Sequence, residues 1–154
     1  MVAATKLAQK TPSVCKRQSA RVYAFTENPL HREVLACKHG NSGFGHQAAA
    51  VLVVTSALPS FFSPDERNQC WIDGGLFCMS LIYALHSMGL GTCCLNWCVN
   101  LQDDRNLREV ADLPESESII MQIAVGHLPE TLKVAKSIRK PLNQILRINR
   151  SAID

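Results

Sequence analysis

Two pairs of residues have types and spacing that could do chemistry: the adjacent thiols Cys93 and Cys94, and the basic pair Lys136 and Arg139. Vicinal thiols can cycle with a disulfide. A thiol in an apolar setting titrates high and stays inert, however, and the flanking sequence LGTCCLNW is apolar, so the pair reads as core packing. Lys136 and Arg139 lie three apart and share a face if the segment turns helically. On such a turn they make either a phosphate clamp or a solvated basic face. His31, His39, His46, His86 and His127 each read as structural or solvent-facing. The chain has no GxSxG, Walker loop or HExxH, and no spacing of Ser, His and Cys outlines a triad. No metal set is indicated.

These residues depend on the elements that carry them. Residues 63–97, SPDERNQCWIDGGLFCMSLIYALHSMGLGTCCLNW, dominate the chain. Ser63 suits an N-cap, Pro64 the first helical position, and Glu66 completes a capping box. Gly89 supplies the stop. The helix between is apolar on nearly every face and is expected inside the molecule. Gly74 and Gly75 cost it about 1 kcal/mol each relative to alanine, and close approach of another backbone, such as a partner helix, would offset that. Asp73 and His86 interrupt the apolar run, which favours a buried helix over a membrane span.

Strands are predicted at residues 21–26, 49–56, 92–95 and 118–127, from alternation or continuous apolar runs. Helical segments are predicted at 3–9, at 29–38 with Leu30, Val34 and Leu35 inward, and at 102–112 with Leu101, Leu107 and Val110 inward. Residues 39–47 hold three glycines and read as a loop. The segment 132–148 is basic. The length suits one domain, residues 1–154. A net charge of +3 without a basic run, and only 6% aromatics, argue against a nucleic-acid partner. Seven cysteines without a CxxC pair indicate neither a disulfide framework nor a zinc ribbon, and suit a reducing, cytoplasmic setting. Residues 1–14 lack the apolar core of a signal peptide.

Four blocks in order extend this reading. TPSVCKRQSARVY (residues 11–23) resembles the TPSxCNRQPWRVY segment of the nitroreductase family of FMN-dependent NAD(P)H oxidoreductases. DGGLFCMSLIYALHSMGLGTCCLNW (73–97) is similar to the family's central helix and flavin-contacting turn. IIMQIAVGHLPE (119–130) and KSIRKPL (136–142) resemble its C-terminal strand and its phosphate-binding arginine segment.

The resemblance implies an α+β fold with a mixed central sheet flanked by helices around a long buried central helix. It implies a homodimer with FMN at its interface, NAD(P)H as reductant, and a nitroaromatic, quinone or similar small acceptor. Pro12, Ser13 and Gln18 match positions that approach the flavin, and Lys16 stands among them. Cys94, Leu95 and Asn96 match the turn whose backbone faces the isoalloxazine ring. Arg139, supported by Lys136 and Ser137, matches the phosphate site, where a guanidinium binds two oxygens at once. The cofactor carries the redox chemistry, so no side chain is named as acid or base.

The chain also departs from the family pattern. Lys16 stands for the usual asparagine, where it either favours an anionic reduced flavin or points to water. Ser19-Ala20 stand for the usual Pro-Trp. The family's RRSxR-like motif, whose arginines and serine hold the flavin phosphate and ribityl chain, is expected to be missing, and the helix that follows it to be mostly missing, with residues 3–9 as its last turns. Weaker flavin binding is the expected result. The alternative function is therefore a non-catalytic, truncated paralogue serving as a flavin-binding or dimeric scaffold or regulatory protein.

Overall fold

A computed structural model describes residues 1–26, 29–149 and 151–152. In chain order the elements are α1 (Val2–Ala8), β1 (Ala20–Phe25), α2 (Leu30–Ala36), β2 (Ala50–Ala57), α3 (Gln69–Ser87), β3 (Leu90–Asn96), α4 (Leu101–Ala111), β4 (Glu117–His127), β5 (Arg147–Ile148) and β6 (Ser151–Ala152). β1 to β4 form one sheet in the order β1-β2-β4-β3, and β5 and β6 pair in a small ribbon. Every pairing in the four-stranded sheet is antiparallel, where a mixed sheet is expected from the sequence. Each strand that follows another in this order runs back along it, and no parallel crossover joins these four.

Burial explains which runs become strands. β2 is buried on both faces, which is why its sequence is continuously apolar. Leu52 and Val54 face α1 and α3, with Phe77, Leu81 and Leu85. Val51 and Val53 face α2 and α4, with Val34, Leu107 and Ile119. The molecule is thus a sheet with a helical pair on either side. Leu30 and Leu101, expected inward, are exposed; they open α2 and α4, and Val34, Leu35 and Leu107 do the burying.

The central helix starts later than its capping signal suggests. Ser63 Oγ accepts the Asp65 N–H and the Glu66 carboxylate accepts the Ser63 N–H, but this box caps a single 3-10 turn, Pro64–Glu66. α3 then runs for 19 residues, about 28 Å. Gly89, at φ +77°, ends it as expected.

Nor is α3 buried all round. Asp73, Gly74, Phe77, Cys78, Leu81 and Leu85 face inward. Trp71, Ile72, Leu76, Met79 and Tyr83 form an exposed apolar stripe on the other side, with Tyr83 66% accessible. Gly74 has an intrachain reason: a Cβ there would lie 2.7 Å from Ile120 Cγ1 of β4. Gly75 faces open space. No helix among the described residues is long and apolar enough to cross a membrane.

Candidate functional site

Pro12, Ser13 and Gln18 come together in the loop between α1 and β1. Thr11 Oγ1 donates to the Ala8 carbonyl at 2.7 Å and closes the helix end. Ser13 then extends, and Cys15, Lys16 and Gln18 all adopt left-handed backbone, at φ 47°, 57° and 50°. Such conformations cost of order 1 kcal/mol or more each in residues with a Cβ, and persist only where surrounding contacts over-determine them.

Those contacts are present. The Val14 N–H donates to both oxygens of Asp73, at 3.3 and 3.1 Å. Gln69 Nε2 donates to Asp73 Oδ1 at 2.9 Å. The Gln18 N–H donates to Ser13 Oγ at 3.0 Å. Arg17 pairs with Glu66 at 2.5 Å and lies 4.5 Å above the Phe62 ring. The Phe62 N–H is the main cause holding the Glu66 carboxyl below the usual carboxylate range, with Arg17 and the Ser63 N–H adding to it. Pro12, Ser13 and Gln18, with Gln9, Arg21, Asp73 and Phe77, line a cavity of about 310 Å3. Lys16 is exposed beside it and is not among the lining residues.

Cys94, Leu95 and Asn96 lie elsewhere, in β3. That strand pairs with β4 on one side and forms an edge of the sheet. An edge strand leaves alternate N–H and C=O groups without strand partners. Leu95 is buried, while Cys94 and Asn96 are exposed. Cys93 and Cys94 are both exposed, which corrects the expectation of core packing: neighbours on a strand point to opposite faces, and on this edge strand neither thiol is enclosed, although Leu95 beside them is buried. Desolvation, and then Cys93, push the Cys94 thiol above its ordinary range. The buried Cys78 thiol is pushed up to about 12 by desolvation. Trp97 fastens the end of β3, with its Nε1 donating to Asp104 at 2.8 Å. Asp104 in turn accepts from Arg108 at 2.7 Å. The Arg108 guanidinium reaches the Pro114 and Glu117 carbonyls, both at 2.9 Å.

Lys136, Ser137 and Arg139 follow β4 in an exposed stretch that is not helical, so the basic pair does not share a helical face. Arg139 Nη1 donates to Ser137 Oγ. No hydrogen bond or ion pair among the described residues joins these three to the loop or to β3. The loop leads into β1, and Cys94, Leu95 and Asn96 sit on β3, with β2 and β4 between them. Three strand spacings, about 14 Å, separate the two edges.

Asp73, Glu66 and the Trp97–Asp104–Arg108 chain are not among the site residues expected from the sequence. Asp73 carried a readable signal, because a carboxylate inside an apolar helix is costly unless it is hydrogen-bonded. Its partner, 59 positions away, was not readable.

Comparison with known proteins completes the description. A sequence model described as the Nitroreductase family matches residues 28–127. A search of curated proteins finds no match. Among solved structures, a nitroreductase family protein from Streptococcus pneumoniae TIGR4 superposes at TM-score 0.79 and 17% identity, covering 95% of this chain and 86% of that one. An FMN-dependent nitroreductase from Clostridium difficile R20291 gives TM-score 0.74 at 19% identity, covering 95% and 84%. A nitroreductase candidate from Desulfovibrio desulfuricans, solved in complex with FMN, gives 0.77 at 19%, covering 94% and 80%. At these identities the likeness shows the fold.

Proposed function

The chain belongs to the nitroreductase family, and from that premise we propose that it is an FMN-dependent oxidoreductase working as a homodimer. Reducing equivalents come from NADH or NADPH and pass to a small acceptor such as a nitroaromatic or a quinone. The observation that carries this reading is the loop at residues 12–18. Three left-handed residues hold Ser13 and Gln18 on the wall of a cavity large enough for part of a planar ring.

The donor set suits FMN. A flavin offers a rim of acceptors and one N–H donor, together with a dianionic phosphate. Ser13, Gln18 and Lys16 supply polar groups from the loop, and the outer rim of β3 at Cys94, Leu95 and Asn96 supplies backbone dipoles. Lys136, Ser137 and Arg139 supply cations and a hydroxyl for the phosphate, with their heads in solvent and accessible to it. Bound FMN supplies the two-electron chemistry. The protein's own residues bind it, orient it and shield it from water.

The homodimer reading is supported by the exposed stripe on α3 and by the separation of the two residue groups. In such a dimer the stripe would be covered, and a shared site would need the loop of one subunit to meet the β3 edge of the other. The segment after β4 adds exposed Leu132, Val134, Ile138, Leu142 and Ile145, an apolar set suited to lying on a partner.

The test is a titration of purified protein with FMN, read by flavin absorbance and by melting temperature, followed by NADH and NADPH oxidation with an acceptor. A rise in melting temperature with FMN concentration, and turnover, are expected. A protein that excess FMN neither colours nor stabilises overturns the proposal. FMN binding without oxidation of either nucleotide favours the non-catalytic scaffold.

A further inference from the structure

We propose that Asp73 is a positioning residue that sets the cofactor-facing conformation of the loop at residues 12–18; its flavin consequence rests on the FMN reading above. Asp73 sits on the inward face of α3 and is 4% exposed. A buried carboxylate in an apolar helix is costly unless its oxygens are used, and here they are. Oδ1 accepts from Gln69 Nε2 one helical turn earlier, and both oxygens accept from the Val14 N–H. Val14 opens the 3-10 turn that contains Cys15 and Lys16. The anchor therefore grips the loop immediately before its left-handed residues.

The rest of the loop is held by side chains from within the loop or near the surface. Ser13 accepts from Gln18, and Arg17 reaches the partly exposed Glu66. Asp73 alone among these ties the loop to the buried face of the central helix. It also lines the cavity that Pro12, Ser13 and Gln18 share, so its removal would free the same wall that faces a ligand. Gln69 holds the carboxylate in register along the helix, since residues four apart are neighbours there. The loop's shape is thereby indexed to α3, the helix that also presents the exposed stripe.

The experiment compares the wild-type chain with Asp73→Ala, Asp73→Asn and a control, Val54→Ala, which leaves a void in the sheet core far from the loop in sequence. Limited trypsin digestion reads the loop directly, because cleavage after Lys16 or Arg17 requires it to open.

Asp73→Ala is expected to be cut at Lys16 or Arg17 at least tenfold faster than Val54→Ala under conditions where both are equally folded by circular dichroism. Its dissociation constant for FMN is expected to rise at least tenfold. Asp73→Asn keeps one acceptor oxygen and is expected to fall between. Cleavage of Asp73→Ala no faster than Val54→Ala, or FMN affinity within twofold of wild type, overturns the proposal. If the wild type itself does not bind FMN, the functional reading and the flavin consequence fall together. The protease comparison still decides whether Asp73 sets the loop.

Discussion

At the scale of single residues, the fold spends its polar groups where they fix geometry. Glu117 is buried and accepts hydrogen bonds from Thr55 Oγ1 and from the Tyr23 hydroxyl, the latter at 3.0 Å. Tyr23→Phe is expected to cost about 1–3 kcal/mol of stability by urea unfolding, because an acceptor inside the sheet loses a donor. Desolvation and then the bond to Glu117 raise the Tyr23 phenol above 10.0. In the folded state it keeps its proton to higher pH than in the unfolded chain. Its stabilising contribution is therefore complete below pH 10 and fades as the pH climbs through the raised value. The stability gap between wild type and Tyr23→Phe should narrow in that window. Arg139→Ala is expected to weaken FMN binding by about tenfold to a hundredfold, the worth of one or two charge-assisted bonds. Riboflavin, which lacks the phosphate, should bind both proteins alike, and equal losses for the two ligands would refute the phosphate role.

At the scale of elements, the strands were the most legible part of the sequence. β2 and β4 are apolar runs because both of their faces are covered, and pattern alone located them. The start of α3 was misread because a capping box is a local device. Ser63 and Glu66 satisfy each other equally well around one 3-10 turn, and nothing local states how far the helix then continues. The exposure of Cys93 and Cys94 was illegible for a different reason: which strand ends up at a sheet edge is a tertiary fact. The segment 132–148 forms no α-helix, only a 3-10 turn at Leu142–Gln144, because no neighbour in the chain covers its apolar side chains, and helices of this length gain most of their stability from such packing. Within the loop, the residues at 12, 13 and 18 are expected from family likeness, whereas the Asp73 contact to the Val14 N–H is visible only in three dimensions. The paired glycines separate cleanly in a test. Gly74→Ala is expected to destabilise by about 1–3 kcal/mol, since its methyl meets Ile120. Gly75→Ala meets nothing within the chain, so in an unpartnered chain it would gain up to about 1 kcal/mol of helix propensity and its urea midpoint would rise. A fall would mean that a partner's backbone lies against that position.

At the scale of the whole molecule, the proposed homodimer would account both for the apolar stripe of α3 and for the two separated groups of proposed site residues. Replacing Ile72 and Tyr83 with glutamate is expected to leave the fold intact, because both project outward, and to abolish self-association in sedimentation. The FMN stabilisation should vanish with it. If the doubly charged chain still dimerises, the interface lies elsewhere. The placement of the loop at one rim of the sheet and of Cys94–Asn96 at the other has a genetic corollary. In a two-fold assembly each chain would lend its loop to one site and its opposite rim to the other. Two defective versions of the gene, one carrying Gln18→Ala and the other Cys94→Trp on the opposite rim, should then rescue each other when expressed together. Random mixing would make half the dimers hybrid, each with one undamaged site, and recover about a quarter of the normal sites.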